Sequence, residues 1–258
     1  MALSMRAPSP GLLALARIAA AAGDVVMRHY GACEARAKPD RSPVTDADEE
    51  AEALILKQLA ALFPGVSVVA EEAMAAGGEA AAAAHFFLVD PLDGTREFLS
   101  GNGEFTVNIA EVRDGVAVAG VVHAPAVDRL FLGARDEGGF ETTAALAAFN
   151  PIMARQAPKD GLVAVGSRSH NDAQTAEFLK QFTLKDFIAA GSSLKFCLLA
   201  AGEADLYARA GRTMEWDTAA GHAVLMAAGG SVTRWDGTPL LYGKPGFENP
   251  AFVARGIL

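Results

Sequence analysis

Cysteine is scarce in this sequence: Cys33 and Cys197 are the two among 258 residues. Two thiols cannot form a disulfide framework and lack metal-ligand spacing, so both are expected as buried thiols of a reducing compartment, the cytoplasm. Histidine is nearly as rare, at five, with none grouped as zinc requires. Basic residues are also in deficit: 22 Lys and Arg against 31 Asp and Glu leave a net charge of −9. Such a chain repels phosphate backbones, which argues against nucleic-acid binding. No uninterrupted apolar run reaches the ~18 residues of a membrane span. The stretch from Gly11 to Ala22 has some character of a signal-peptide apolar region behind Arg6, but Arg17 interrupts it. G-x-S-x-G and P-loop patterns are missing, and Gly101-Asn102-Gly103 lacks the third glycine of a dinucleotide fingerprint.

What is present is a large aliphatic complement, 51% hydrophobic residues with 7% aromatic ones, enough for one large domain or two small ones. Ser9-Pro10 reads as an N-cap and first helical position, followed by Leu12, Leu15, Ala19, Ala22 and Val26 at helical spacing. Ala51, Leu54, Ile55, Leu59 and Leu62 form a second stripe, stopped by Pro64-Gly65. A short strand over Ser67 to Ala70 precedes Glu71-Glu72, and an alanine-rich stretch runs from Ala73 to Ala84. His85 to Val89 reads as a buried strand. Arg113-Asp114-Gly115 joins two strands in a hairpin, and Arg129 to Gly133 adds a third. The stretch from Glu141 to Gly161 has no clean strand period and is the expected junction between an α+β half, 1–142, and an α/β half, 143–258.

The strongest local signal is Asp90-Pro91-Leu92-Asp93-Gly94-Thr95, directly after the buried strand. A strand end is a rigid platform, Pro91 stiffens it, and Gly94 permits close backbone approach to a ligand. Two carboxylates three residues apart suit Mg²⁺, which favours oxygen ligands and substrate phosphate. Glu71 follows another strand, and Asp217 precedes a small-residue helix that starts near Thr218, for which it is an N-cap candidate. Thr45-Asp46-Ala47-Asp48 fits a capping box. Glu71, Asp90, Asp93 and Asp217, with Asp48 and Thr95 nearby, would repel one another unless cations neutralise them. Two divalent ions would do so and clamp a phosphate, which reconciles an acidic chain with an anionic substrate.

These residues resemble the inositol monophosphatase superfamily of Mg²⁺-dependent, Li⁺-sensitive phosphatases. Lys38 to Thr45, Asn102 to Ala110, Gly191 to Cys197 and Met214 to Gly221 are similar to its CysQ-type 3'(2'),5'-bisphosphate nucleotidase branch. The resemblance implies a layered αβαβα sandwich and an activity that removes the 3'-phosphate of adenosine 3',5'-bisphosphate (PAP) in sulfur assimilation. It implies two or three Mg²⁺ ions. Glu71, Asp90 and the Leu92 carbonyl would hold one, while Asp90, Asp93 and Asp217 would hold a second. Thr95, oriented by Asp48 and close to Glu71, would deprotonate the attacking water, and Gly94 and Thr95 would hold the departing phosphate. His170, Ser192, Lys195 and Arg209, with Asp217, would contact the nucleotide. Ala208 and Arg212 stand where the resemblance leads one to expect prolines. An inositol or sugar phosphatase, or a catalytically dead phosphate binder, are the competing readings. Monomer or homodimer stays open, as does peripheral membrane association.

Overall fold

The computed structural model describes residues 7–32, 35–38, 43–78, 83–167 and 172–257. The first helix, α1, spans Pro10–His29, with the Ser9 hydroxyl accepting the Leu12 N–H at 3.3 Å. Arg36–Ala37 (β1) and Pro43–Val44 (β2) pair antiparallel before α2, Asp46–Leu62. The capping box is realised at α2: the Thr45 hydroxyl accepts the Ala47 N–H, and Asp48 Oδ2 accepts the Thr45 N–H at 2.8 Å.

A seven-stranded sheet follows. Its strands are β3 (Ser67–Ala70), β4 (His85–Asp93), β5 (Thr106–Arg113), β6 (Val116–Ala124), β7 (Arg129–Ala134), β8 (Gly138–Thr142) and β9 (Asn150–Ile152), lying side by side in chain order. Two short helices interrupt the run, α3 (Glu71–Ala75) and α4 (Thr95–Ser100). The β3–β4 pair is parallel and the rest are antiparallel. The apolar run of β4 has its explanation here. Phe87 and Val89 pack with α1 and α2, while Phe86 and Leu88 pack on the opposite face. Both faces of the strand are therefore buried.

The second sheet contains β10 (Leu162–Gly166), β11 (Leu184–Ala189), β12 (Leu206–Arg209), β13 (Ser231–Arg234) and β14 (Phe252–Arg255), in the order β11-β10-β12-β14-β13. Helices α6 (Leu194–Ala200) and α7 (Ala219–Ala227) share a core with both sheets, and α5 (Ala173–Leu179) packs its Phe178 and Leu179 on the outer face of the second. The layers are thus α1/α2, sheet, α6/α7, sheet, α5, which is the expected αβαβα sandwich.

Several expectations change. Gly138–Thr142 and Asn150–Ile152 are strands, so the first sheet continues into the stretch that has no strand period in the sequence. Strands β13 and β14, unmarked in the sequence reading, close the second sheet beside β12. By length and hydropathy α1 could cross a membrane. Its Leu12, Leu15, Ile18 and Val26 are instead core residues packed with α2 and the first sheet. Cys197 is a buried free thiol whose pKa burial raises, while Cys33 lies outside the described residues.

Candidate active site

Three chain segments deliver carboxylates to one point. The first is the end of β3, where Glu71 opens α3. Buried Glu52, on α2, accepts the N–H groups of Glu72 and Ala73 at 2.8 Å each, which fixes that turn. The second is the end of β4. Asp90, 1% exposed, accepts the Leu92 N–H at 3.0 Å, and the pairing with β5 shifts register between Asp90 and Asp93. Gly94 then adopts φ 92°, a left-handed conformation that costs glycine least, and turns the chain into α4 at Thr95. Any Cβ at Gly94 would also stand 2.4 Å from Ser192 Oγ.

The third segment is the loop before α7. The helix starts after Thr218, which is the residue at the cap, so Asp217 is not the N-cap. Its carboxylate reaches back to accept the Met214 N–H at 2.8 Å, and the Ser193 hydroxyl donates to its carbonyl at 2.7 Å. The close seat of α7 on the first sheet brings this loop near β4. A Cβ at Gly120 would lie 2.4 Å from the Ala220 carbonyl, so β6 accepts the helix only where it has no side chain.

In this arrangement one carboxylate oxygen from each of Glu71, Asp90 and Asp217 lies within 4.8 Å of the others. Asp93, alongside, accepts the Ser193 N–H and lies 3.4 Å from Asn108 Nδ2. Burial, and then the charges of Glu71, Asp93 and Asp217, hold the Asp90 carboxyl well above the usual range. Burial, Asp93 and Glu71 do the same to Asp217. Burial lifts Asp93 to about 6, although the Lys195 ammonium pulls it down. Buried hard oxygen donors that raise one another's pKa fit a divalent cation, which removes the repulsion at its source.

Beside the cluster, Thr95 Oγ1 lies 3.3 Å from both Asp48 Oδ1 and the Leu92 carbonyl, so its single proton can go to either. Buried Lys38 donates to Glu71 Oε1 at 2.6 Å and Glu72 Oε1 at 2.7 Å. Burial pushes the lysine pKa down, but the Glu71 and Glu72 carboxylates outweigh it and hold it above its ordinary value. Glu72 is lifted to about 7, chiefly by burial.

Glu71, Asp93, Gly94, Thr95 and Asp217 line a cavity of about 320 Å³ together with Lys195, Arg209, Arg212, Arg96 and Tyr207. Lys195 is 7% exposed, sits over the Tyr207 ring with Nζ 5.4 Å from its centre, and makes one long hydrogen bond, 3.4 Å, to the Ala190 carbonyl. The lining thus combines carboxylates with several cations, and the Lys195 charge reaches Asp93.

The sequence matches the inositol monophosphatase family over residues 9–255. The chain belongs to that family. The 3'(2'),5'-bisphosphate nucleotidase CysQ of Escherichia coli K12 is 42% identical over 240 residues, covering 92% of this chain and 96% of that protein. CysQ of Buchnera aphidicola is 37% identical over 94% of this chain and 92% of its own length. In structure, the chain is similar to CysQ from Bacteroides thetaiotaomicron, with TM-score 0.80 and 33% identity over 95% of this chain and 97% of that one. It is also similar to an inositol monophosphatase from Anabaena, with TM-score 0.73 and 27% identity over 96% and 90% of the two chains.

Within this member of the inositol monophosphatase family, Glu71, Asp90, Leu92, Asp93, Gly94, Thr95 and Asp217 converge, and Asp48 joins them through Thr95. Lys195 and Arg209 line the same cavity. Ser192 lines the cavity, yet its hydroxyl lies 2.7 Å from the Asp93 carbonyl and 2.8 Å from the Glu104 carbonyl, which share its proton. It braces the turn at 191–193 against the end of β4 and the segment before β5. His170 lies outside the described residues. Sequence reasoning did not single out Lys38, Glu52, Ser193 or Asn108 as site residues. Lys38 and Ser193 stand inside the matching motifs, so a signal existed. Asn108 also stands inside a matching motif, Asn102 to Ala110, whereas Glu52 meets the site only through the packing of α2 and carries no local signal.

Proposed function

We propose that the chain is a Mg²⁺-dependent phosphomonoesterase that cleaves the 3'-phosphate of adenosine 3',5'-bisphosphate to give AMP and phosphate, a step of sulfur assimilation in the cytoplasm. The observation that carries this reading is that one cavity holds both a carboxylate cluster suited to Mg²⁺ and cations suited to a second phosphate. The carboxylates of Glu71, Asp93 and Asp217, with Asp90 buried behind them, share the cavity with the Lys195 ammonium and the Arg209 guanidinium. A second phosphate has two cations to contact in Lys195 and Arg209, whereas a single phosphate held at the carboxylates makes no use of them.

Glu71, Asp90 and the Leu92 carbonyl would hold one Mg²⁺, and Asp90, Asp93 and Asp217 another, with two or three ions in all. When bound, the ions supply Lewis acidity toward the phosphoryl oxygens and the attacking water. The chain's own residues orient and move the proton. Thr95 Oγ1 accepts it from the water while passing its own to Asp48 Oδ1, with Glu71 close by. The Gly94 and Thr95 N–H groups hold the departing phosphate, and Lys195 and Arg209 hold the one that stays. His170 would complete the nucleotide contacts. We assign residues 1–142, which carry the metal ligands apart from Asp217, to the metal-binding half and 143–258 to the substrate half.

The test is phosphate release with Mg²⁺ from adenosine 3',5'-bisphosphate and from inositol 1-phosphate, with Asp93→Asn beside the wild type. Preference for the nucleotide, lost in the variant, supports the reading. Preference for inositol 1-phosphate would keep the metal site and refute the nucleotide pocket.

A further inference from the structure

Two cations that line the cavity, Arg96 and Arg212, have no role so far, and Arg212 stands on the loop that delivers Asp217. The Arg212 charge bears on the Asp217 carboxylate, five residues along the same loop. The backbone around it is tightly held. Asn249 donates its N–H to the Thr213 carbonyl at 2.9 Å and its Nδ2 to the Met214 carbonyl at 2.7 Å, and the Glu215 N–H donates to the Phe247 carbonyl at 2.8 Å. The side chain is not. It is 63% exposed, and its ion pair, Nε to Glu248 Oε2 at 3.1 Å, joins it to an equally open carboxylate, 58% exposed. Such a pair is weak, so a buried or dianionic partner displaces it readily.

We propose that Arg212 is a specificity-determining residue that leaves Glu248 to clasp the distal phosphate of a bisphosphorylated substrate from the solvent side. Lys195 and Arg209 approach that phosphate from inside the cavity, and Arg212 closes the third side. A terminal phosphate has three oxygens and two negative charges, enough acceptors for all three cations. The inference rests on the bisphosphate reading above and adds to Lys195 and Arg209 a third cation that favours bisphosphates over monophosphates.

The experiment compares kcat/KM for adenosine 3',5'-bisphosphate and adenosine 3'-monophosphate in the wild type, Arg212→Ala, Arg212→Lys and Glu248→Gln. The quantity read is the bisphosphate-to-monophosphate ratio. Arg212→Ala should lower it about tenfold, through KM of the bisphosphate, the size expected when a charge-assisted hydrogen bond at an open site is lost. Arg212→Lys should recover part of the loss, and Glu248→Gln should leave the ratio equal or higher because it releases the guanidinium. A ratio within twofold of wild type in Arg212→Ala overturns the inference. So does a fall in Glu248→Gln as deep as in Arg212→Ala, since loop geometry rather than the charge would then set the ratio. A wild type that does not prefer the bisphosphate refutes the nucleotidase reading itself, an outcome distinct from either.

Discussion

Asp48 serves two partners with its two oxygens: Oδ2 accepts the Thr45 N–H and hydroxyl that cap α2, and Oδ1 lies 3.3 Å from Thr95 Oγ1. The capping bonds hold the carboxylate rigid, so the free oxygen points at one hydroxyl. Asp48→Asn and Thr95→Val should each lower kcat about 100-fold or more, the scale of a lost general base, with KM little changed. The double variant should be barely worse than either single one, because the pair moves one proton. Asp48→Ala should in addition lower stability by about 1 kcal/mol through the lost cap, read by thermal denaturation.

Asp90 is buried among like charges. In the presence of a chelator at pH 8, Asp90→Asn should therefore be more stable than wild type by about 1–2 kcal/mol. Adding Mg²⁺ should reverse the order, because only the wild type keeps the full ligand set and gains the binding energy. Melting curves with and without the ion would show the crossing. Parallel curves at all Mg²⁺ concentrations would rule it out.

Glu215 is fully buried and accepts the N–H groups of Gly243 at 2.6 Å and Lys244 at 2.9 Å, besides the Lys244 ammonium at 2.6 Å. It clips the loop that carries Asp217 to the 243–249 segment. Glu215→Ala leaves those groups without an acceptor and should cost about 2–3 kcal/mol. Because Asp217 loses its fixed seat, half-maximal activity should also require several-fold more Mg²⁺, which a metal titration would measure.

Burial pushes the Lys195 amine down to about 8, with the Asp93 carboxylate opposing. Below that pH the group is the cation a phosphate needs, and above it the amine is neutral. kcat/KM for a bisphosphate should then fall as pH rises through about 8. The kcat profile should bend at higher pH, because a bound phosphate holds the proton on. Lys195→Met should lack the alkaline limb. A limb that survives in the variant belongs to another group.

The helix starts, the buried strand β4 and the hairpin at Arg113-Asp114-Gly115 were legible because each rests on interactions within a few residues. So was the capping box of Thr45 and Asp48. The strand Asn150–Ile152 was hidden, since three residues including Pro151 show no period, and its pairing with β8 alone makes it a strand. Asp217 was read as a plausible cap and is not one, because its carboxylate turns back to Met214.

Chain chemistry alone marks Asp90, Asp93, Gly94 and Thr95 as a unit, since a rigid strand end, a proline and a glycine constrain six consecutive residues. It cannot say that Glu71 and Asp217, 146 positions apart (217 − 71), meet at Asp90. That depends on β3 pairing beside β4 and on α7 sinking onto Gly120, contacts between distant segments that fold together only as the layers pack. The hold of Lys38 on Glu71 and the seat of Asn108 beside Asp93 have the same origin. Residue types set which groups can bind metal and phosphate, and packing sets the distances at which they do so.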